Sequence, residues 1–292
     1  MVEAVGARCP AEEAVMSWWM FWWSLLASAA ALAALLAVTL AVALRVGRHS
    51  VIDVAWGLGF TLVALVSYLL SGSSGLSGGE GARRLLVLVL TAAWGMRLAL
   101  HIGRRNVGEG EDPRYERMLG RAPGNRTLYG VRTIYVTQGV VLLFVSLPVQ
   151  AAMFERGPLG WITWAGTALW LVGFVFETVG DRQLARFRAD PGSRGKVLDT
   201  GLWRYTRHPN YFGDTCVWWG LFLVAADQWP GVLTVLSPVL MTYFLVAGTG
   251  KPLLERQLSK SRPGYADYVR RTSGFFPLPP RGARDAPGRS RG

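Results

Sequence analysis

The stretch TGLWRYTRHPNYFGD, residues 200–214, places a cluster of polar and ionisable side chains directly before one of the most apolar segments of the chain. The cluster consists of Arg204, Arg207, His208, Asn210 and Asp214. Charged groups close to hydrocarbon are costly, and in membrane proteins they usually face the protein interior and mark a functional site. The stretch therefore predicts a ligand-binding site at the end of a membrane-spanning helix.

The dipeptide His208-Pro209 predicts where that helix begins. Proline disfavours the α conformation at the residue before it and is well tolerated in the first helical turn. We expect Asn210 near this first turn, where backbone N–H groups lack helical partners and suit an anion such as phosphate. Asn210 can also donate to and accept from an amide, and Asp214 lies four residues later on the same face. The alternative is a basic interfacial cap that meets lipid headgroups.

Composition predicts an all-α polytopic membrane protein. The chain has 292 residues, of which 51% are hydrophobic and 17% are charged. The apolar residues form blocks of about 20 residues, which match a bilayer core roughly 30 Å thick. Because the blocks lack the alternation of barrel strands, helices are expected. We predict a multi-pass protein of the cell membrane with about seven spans, at residues 20–44, 51–70, 84–102, 132–154, 159–180, 210–228 and 231–249.

The basic residues predict the orientation of the spans. Of the 31 Lys and Arg residues, 26 lie in four alternate gaps, at 45–50, 103–132, 181–209 and 251–292. The positive-inside rule makes these gaps cytoplasmic, with the N-terminus outside and the C-terminus in the cytoplasm. The net charge of +12 is therefore explained by topology, and no nucleic-acid partner is expected. The two cysteines and three histidines lack metal-ligand spacing, so no metal site is expected.

We divide the chain into three parts. Residues 1–19 form an extracytoplasmic segment, residues 20–277 a membrane domain, and residues 278–292 a disordered basic cytoplasmic tail. Two cytoplasmic segments are predicted to be helical, namely 181–190, which continues the fifth span, and 252–271, which is amphipathic. They give the cytoplasmic side an ordered basic surface that suits an anionic cofactor.

Several ionisable residues fall within or at the edge of predicted spans: Asp53, Arg97, His101, Glu177, Asp181, Asp214 and Lys251. In the predicted topology, each lies in the cytoplasmic half of its span or just outside it. We therefore expect them to converge on one cavity that opens to the cytoplasm. Simpler alternatives are an interhelical ion pair between Asp53 and Arg97, and a Lys251 side chain that extends to the interface.

A resemblance to a known family follows from GKVLDTGLWRYTRHPNYFGD, residues 195–214, which resembles the cofactor motif of the membrane steroid 5α-reductase superfamily. The match is to its bacterial branch, labelled as a domain of unknown function (number 1295), and RHPNYFGD is also similar to the motif of the sterol C14-reductases. The other matching pieces are VIDVAWGLGF (51–60), WGMRLALHIGRRNVGEGEDPRY (94–115), DRQLARF (181–187) and PLLERQLSKSRPGYADYVRRTSGFFP (252–277).

The resemblance implies a seven-helix membrane fold that holds NADPH in a cytoplasmic-side cavity and transfers hydride to an activated C=C bond of a lipophilic enone or sterol-like substrate. Asn210 and Asp214 match the cofactor-contacting Asn and acidic residue of the family. Glu177 and Asp181 match an Asn…Asp pair, with Glu177 departing from Asn. The remaining residues implied to bind the cofactor are Arg188, Trp203, Arg204, Arg207, His208, Tyr265, Tyr268 and Arg271.

The resemblance also implies a substrate-polarising set, in which this sequence departs from the family. The 5α-reductases use a Glu in the second span and a Tyr in the third. Asp53 takes the place of the Glu, and alignment on Arg97 puts Trp94 in the place of the Tyr. An indole cannot donate a proton as a phenol does. We therefore take Asp53, Trp94 and Arg97 as catalytic candidates, with Tyr135 of the fourth span as a substitute proton donor.

Three functions compete at this point. The first is an NADPH-dependent membrane reductase acting on a lipophilic small molecule. The second is an S-adenosylmethionine-dependent methyltransferase of the isoprenylcysteine or phospholipid type, which shares the RHPxY element. The sequence NYFGD after the RHP residues favours the reductase, as does Glu255 being followed by Arg256 rather than by a second acid. The third is a non-catalytic scaffold that binds membrane lipid, against which the clustered ionisable residues argue.

Overall fold

The structure is a computed structural model that describes residues 10–72, 79–248 and 250–281. The described residues are helical and contain no strand, apart from one isolated bridge between Thr206 and Ser273. The predicted all-α class is therefore confirmed. The predicted N-terminal segment and basic tail lie almost entirely outside the described residues, and the proposed domain boundaries stay a prediction.

Five long helices and seven short ones follow in chain order. The long ones are α1 (Pro10–Val46), α2 (Ile52–Gly72), α3 (Gly79–Asn106), α8 (Trp161–Ala189) and α9 (Pro209–Ala226). The short ones are α4 (Pro113–Leu119), α5 (Arg126–Gly130), α6 (Thr137–Val145), α7 (Leu147–Ala152), α10 (Leu236–Val246), α11 (Lys251–Ser261) and α12 (Tyr265–Arg271). A π-helical segment, Val131–Val136, joins α5 to α6.

Six helical stretches of the described chain are long and apolar enough to cross a membrane. They are Trp19–Val46, His49–Gly72, Gly81–Asn106, Arg126–Val145, Trp161–Ala189 and Gly231–Ser261. The predicted span 210–228 forms α9 but is not among them, because its first turns carry Asn210 and Asp214. The count of seven spans is therefore not confirmed, and the orientation of the termini stays a prediction.

The two predicted cytoplasmic helices are present, one of them with a break. The fifth span continues without interruption to Ala189, which matches the expectation for 181–190. The segment 252–271 is divided into α11 and α12, because Pro263 and Gly264 interrupt it. Gly264 has a φ of 83°, a left-handed conformation that glycine adopts readily.

The described chain divides into two compact units. The first comprises the residues up to Trp164 together with Leu221–Ser237, and the second comprises Ala165–Gly220 together with the residues from Pro238 onward. In the first unit, α2 and α3 approach each other at Gly57 and Gly95. A Cβ atom added to Gly57 would overlap the carbonyl oxygen of Gly95 and lie 2.8 Å from the backbone nitrogen of Ala99. Only glycine permits this backbone-to-backbone contact.

Gly95→Ala is expected to lower the free energy of unfolding by about 1–3 kcal/mol, because the new methyl group overlaps Gly57 and forces α2 and α3 apart. Gly103→Ala on the same helix is the matched control, since nothing lies within 4 Å of its added Cβ. The control should gain up to about 1 kcal/mol from the lower entropy of the unfolded chain. Thermal unfolding in detergent measures both variants, and equal melting temperatures would contradict the close contact.

The first unit also buries a complete ionic network around Arg83, whose side chain is fully inaccessible. Its Nη1 donates to the carbonyl oxygen of Val224 at 2.7 Å and lies 3.3 Å from Oε2 of Glu155. Its Nη2 donates to Oδ2 of Asp227 at 3.0 Å. The network joins the start of α3 to two segments that are distant in sequence.

In the second unit, α8 and α9 also cross at glycines. A Cβ atom on Gly213 would lie 2.6 Å from the carbonyl oxygen of Gly173 and 2.5 Å from the backbone nitrogen of Glu177. A second close approach, of Gly220 to Gly166, lies two turns further along α9. These contacts bring the acidic face of α8 against the first turns of α9.

Candidate functional site

The crossing of α8 and α9 brings together residues that the sequence predicts as cofactor-binding. The side-chain nitrogen of Asn210 donates to Oδ1 of Asp181 at 3.2 Å. Glu177, one turn before Asp181 on α8, is 3% exposed, and Asp181 is 6% exposed. Asp214 lies one turn after Asn210 on α9. The site therefore combines buried carboxylates with an amide, a set of groups that can bind hydroxyl and amide groups of a ligand.

The RHP segment before α9 is bound to the C-terminal helices. The guanidinium of Arg207 donates to Oε1 of Glu255 at 2.9 Å and to the carbonyl oxygen of Thr272 at 2.6 Å. Nε2 of His208 lies 3.0 Å from the same Glu255 oxygen. The positive charge of Arg207 is thus already paired by α11, whereas the sequence assigned it to a cofactor phosphate. Its contact with a cofactor stays a prediction, and an anchoring role is added.

His208 offers an unused hydrogen-bond acceptor. Burial lowers the pKa of this imidazole, with Glu255 acting in the opposite direction, so the neutral form is favoured. A neutral ring that donates from Nε2 to Glu255 leaves Nδ1 as an acceptor. Nδ1 is buried and has no hydrogen-bond partner among the described residues. The ring also stacks on Tyr211, with centroids 5.2 Å apart. An amide or amino group of a ligand would satisfy Nδ1.

Other predicted cofactor residues hold the chain in place around the site. The indole of Trp203 donates to the carbonyl oxygen of Gly180 at 3.1 Å. The phenol of Tyr268 donates to the carbonyl oxygen of Trp203 at 2.6 Å. Arg271 pairs with Asp199. These contacts dock the 3-10 turn Gly201–Arg204 between α8 and α12 and leave other residues to contact a ligand.

The rest of the predicted set is more varied in exposure. Tyr265 is 2% exposed. Arg188 and Arg204 are exposed. The two arginines are therefore the predicted cations that remain accessible for a phosphate, and this role stays a prediction.

In the first unit, Asp53 lies in a network that the sequence analysis missed. Tyr115 on α4 donates to Oδ1 of Asp53 at 2.6 Å, and Arg114 lies 3.3 Å from Oδ2. Gln138 on α6 donates to the phenol oxygen of Tyr115 at 3.2 Å. Asp112, whose side chain accepts from the backbone N–H of Arg114, caps the N-terminus of α4. The signal for this helix was present as EDPRY, an acidic cap followed by proline.

The other substrate-side candidates have different surroundings. Trp94 is fully buried, and its ring centroid lies 5.6 Å from that of Phe60. The phenol of Tyr135 lies 3.2 Å from Nδ1 of His49. The predicted pair of Asp53 with Arg97 stays a prediction, as does the single shared cavity. Trp94 packs in the core between α2 and α3, which explains how an indole replaces a smaller phenol there.

A comparison with protein families finds one match. The family model described as "Protein of unknown function (DUF1295)" matches residues 39–272. No solved structure matches the chain.

Curated proteins that resemble the chain include three relatives. An uncharacterized protein, C594.04c of Schizosaccharomyces pombe, is 26% identical over 237 residues, covering 70% of this chain and 66% of the relative. The 3-oxo-5-alpha-steroid 4-dehydrogenase 1 of Rattus norvegicus is 38% identical over 117 residues, covering 37% of this chain and 44% of the relative. The enzyme of the same name from Mus musculus is 40% identical over 72 residues, covering 24% and 28%.

The chain therefore spans less than two thirds of the length of each of these relatives. The family match covers most of the chain and the two steroid dehydrogenases agree with it. The chain belongs to the DUF1295 family, a steroid 5α-reductase-like family of helical membrane proteins.

Proposed function

We propose that the protein is a membrane reductase that uses NADPH to reduce an activated C=C bond of a lipophilic enone or sterol-like substrate. The observation that supports the proposal most directly is the buried pair of Asp181 and Asn210 at the crossing of α8 and α9. The similarity to two 3-oxo-5-alpha-steroid 4-dehydrogenases indicates a reductase of the same broad kind.

The chemistry of the second unit fits the sugar and amide parts of a dinucleotide better than its phosphates. Carboxylates such as Asp181 and Glu177 accept hydrogen bonds from ribose hydroxyl groups, but they repel phosphate. The unpartnered Nδ1 of His208 would accept from a carboxamide or amino group. The exposed Arg188 and Arg204 carry the positive charge that phosphates need. NADPH bound by these residues would supply the hydride for the reduction.

Asn210→Ala and Asp181→Asn are expected to weaken NADPH binding roughly 5- to 150-fold. Each change removes one partner of a buried hydrogen bond, which corresponds to about 1–3 kcal/mol. Asp190→Asn is the matched control, because Asp190 lies just beyond α8, is exposed, and bonds only to its own turn through Gly192 and Ser193. Titration of the purified protein with NADPH, followed by fluorescence, should give the control an affinity within about twofold of the parent.

The same titration with NADH and S-adenosylmethionine tests the methyltransferase alternative. The reductase predicts that NADPH binds, that S-adenosylmethionine does not, and that Asn210→Ala affects the former. If Asn210→Ala and Asp181→Asn leave NADPH binding unchanged but abolish S-adenosylmethionine binding, the proposal is wrong and the methyltransferase replaces it. Melting temperatures of all variants show whether a loss of binding comes from loss of the fold.

A further inference from the structure

Four side chains of the first unit form a hydrogen-bonded chain that ends at Asp53. The indole N–H of Trp56 donates to Oε1 of Gln138 at 2.5 Å. The amide nitrogen of Gln138 donates to the oxygen of Tyr115 at 3.2 Å, and the phenol of Tyr115 donates to Oδ1 of Asp53 at 2.6 Å. An indole can only donate, so it fixes the orientation of the Gln138 amide. The direction of every hydrogen bond in the chain follows from that orientation.

The two oxygens of Asp53 are held in different ways. Oδ1 receives the short bond from Tyr115, which is 5% exposed and is itself held by Gln138. Oδ2 has a 3.3 Å contact with Arg114, whose side chain is 46% exposed. Arg114 also makes three side-chain hydrogen bonds to Asp112, of 2.9, 3.0 and 3.1 Å. Arg114 can remain on Asp112 when it leaves Asp53, so Oδ2 is the oxygen that a substrate can reach.

We propose that Tyr115 is a positioning residue that holds the carboxyl group of Asp53 while its Oδ2 gives a proton to the carbonyl oxygen of an enone substrate. The inference rests on the proposed reductase function and adds to it the acid and the residues that support the acid. It assigns to α4 a role that alignment alone would place at Trp94, whose indole cannot supply a proton.

The proposed reduction consumes one hydride and one proton. Hydride adds to the β-carbon of the enone, and the electron pair of the C=C bond moves toward the carbonyl oxygen. Asp53 gives its proton to this oxygen, and the resulting enol tautomerises to the saturated ketone. The Asp53 carboxylate then regains a proton from water. Tyr115 keeps its own proton throughout, because burial raises the pKa of its phenol well above the usual range.

The hydrogen bond from Tyr115 becomes stronger during this step. Its acceptor is a neutral carboxyl group when the substrate binds and a carboxylate after the proton has moved, and hydrogen bonds to ionised acceptors are stronger. Tyr115 therefore stabilises the transition state more than the bound substrate. Loss of this bond should lower kcat about 5- to 15-fold and leave KM nearly unchanged. A side chain that only maintained the fold would not separate the two constants in this way.

The test compares variants of the whole protein in lipid nanodiscs, with NADPH and three probe enones: 4-cholesten-3-one, testosterone and a long-chain 2-enone. Tyr115→Phe should lower kcat about 5- to 15-fold with KM within about twofold of the parent. Gln138→Leu should have a smaller effect that is not additive with Tyr115→Phe, because Gln138 acts through Tyr115. Asp53→Asn should lower kcat about 100-fold or more.

Tyr129→Phe is the control, since Tyr129 packs against the same core cluster as Tyr115, and its kcat should stay within about twofold of the parent. Tyr115→Phe with an unchanged kcat, or with a change in KM alone, overturns the positioning role. Asp53→Asn that keeps more than about a tenth of the parent kcat overturns the role of Asp53 as the acid. A parent protein that binds NADPH but reduces none of the three enones contradicts the proposed function itself, and the inference falls with it.

Discussion

Arg83→Met is expected to lower the free energy of unfolding by about 3–5 kcal/mol, because it leaves buried carboxylates without their cation. Arg83 is fully inaccessible and contacts both Glu155 and Asp227, whose side chains are 2% and 5% exposed. Asp227 would keep its hydrogen bonds from the backbone of Gly160 and the hydroxyl of Thr163, each of 2.8 Å. Glu155 has no such support from a hydrogen bond and would carry most of the penalty.

The control for this prediction is Arg84→Met, one residue later on α3. Arg84 is only partly buried, and it makes hydrogen bonds of 2.7 Å to Ser71 and to the carbonyl oxygen of Tyr68. Its replacement should lower stability by about 1 kcal/mol. Thermal unfolding of the purified protein in detergent compares the two variants, and similar losses for both would contradict the network.

A second variant separates lost pairing from lost packing. Adding Glu155→Gln and Asp227→Asn to Arg83→Met removes every charge of the network. Because uncompensated buried charge causes most of the loss, the triple variant should recover a large part of the stability lost by Arg83→Met. A triple variant that is less stable than Arg83→Met would show that the packing of the methionine, and not the charge, is responsible.

The Arg83 network shows which part of the fold the sequence could not predict. Hydrophobic blocks placed α3 correctly, and the count of basic residues assigned Arg83 to an outer gap as one of its charges. Its partners lie 72 and 144 positions away by sequence number, at Glu155 and Asp227. No local pattern links such distant residues, so the burial of Arg83 depends on tertiary packing alone. By contrast, the start of α9 at Pro209 follows from proline chemistry that acts within two residues.

The candidate site was predictable to a similar extent. The four-residue spacing of Glu177 and Asp181 was enough to place both on one face of α8, and Asn210 was found to contact that face. The partner of Asp53 was not found, because the resemblance directed attention to Trp94 on the third span. Tyr115 lies on a seven-residue helix whose own sequence carries little hydrophobic signal. Short helices of this kind are recognised from their caps rather than from their periodicity.

Glu255→Ala is expected to have the second largest effect, a loss of about 2–4 kcal/mol in stability. Glu255 is the shared partner of Arg207 and His208, whose side chains are 10% and 1% exposed. Removal of its carboxylate leaves a nearly buried guanidinium supported only by backbone carbonyls, including those of Val269 and Thr272. The attachment of α11 to the segment before α9 should therefore loosen.

Asp267→Ala is the matched control, because Asp267 pairs with Arg270 on α12 with both side chains more than half exposed. Such a surface pair contributes about 0–1 kcal/mol. Glu255→Gln provides the finer test, since its amide oxygen can still accept from Arg207 or His208 and should restore part of the stability. Thermal unfolding distinguishes the three variants, and a Glu255→Ala protein as stable as Asp267→Ala would contradict the anchoring role.

The same variants connect the anchor to the proposed cofactor site. Glu255 holds His208 in the tautomer whose Nδ1 is an acceptor, so without Glu255 the imidazole no longer presents a fixed acceptor to a ligand. Glu255→Gln should retain most of the fold yet bind NADPH more weakly, because its amide can hydrogen-bond to His208 in either tautomer. If Glu255→Gln instead binds NADPH as tightly as the parent at equal stability, His208 acts only as part of the anchor. The ligand contacts would then have to come from Asp181 and Asn210.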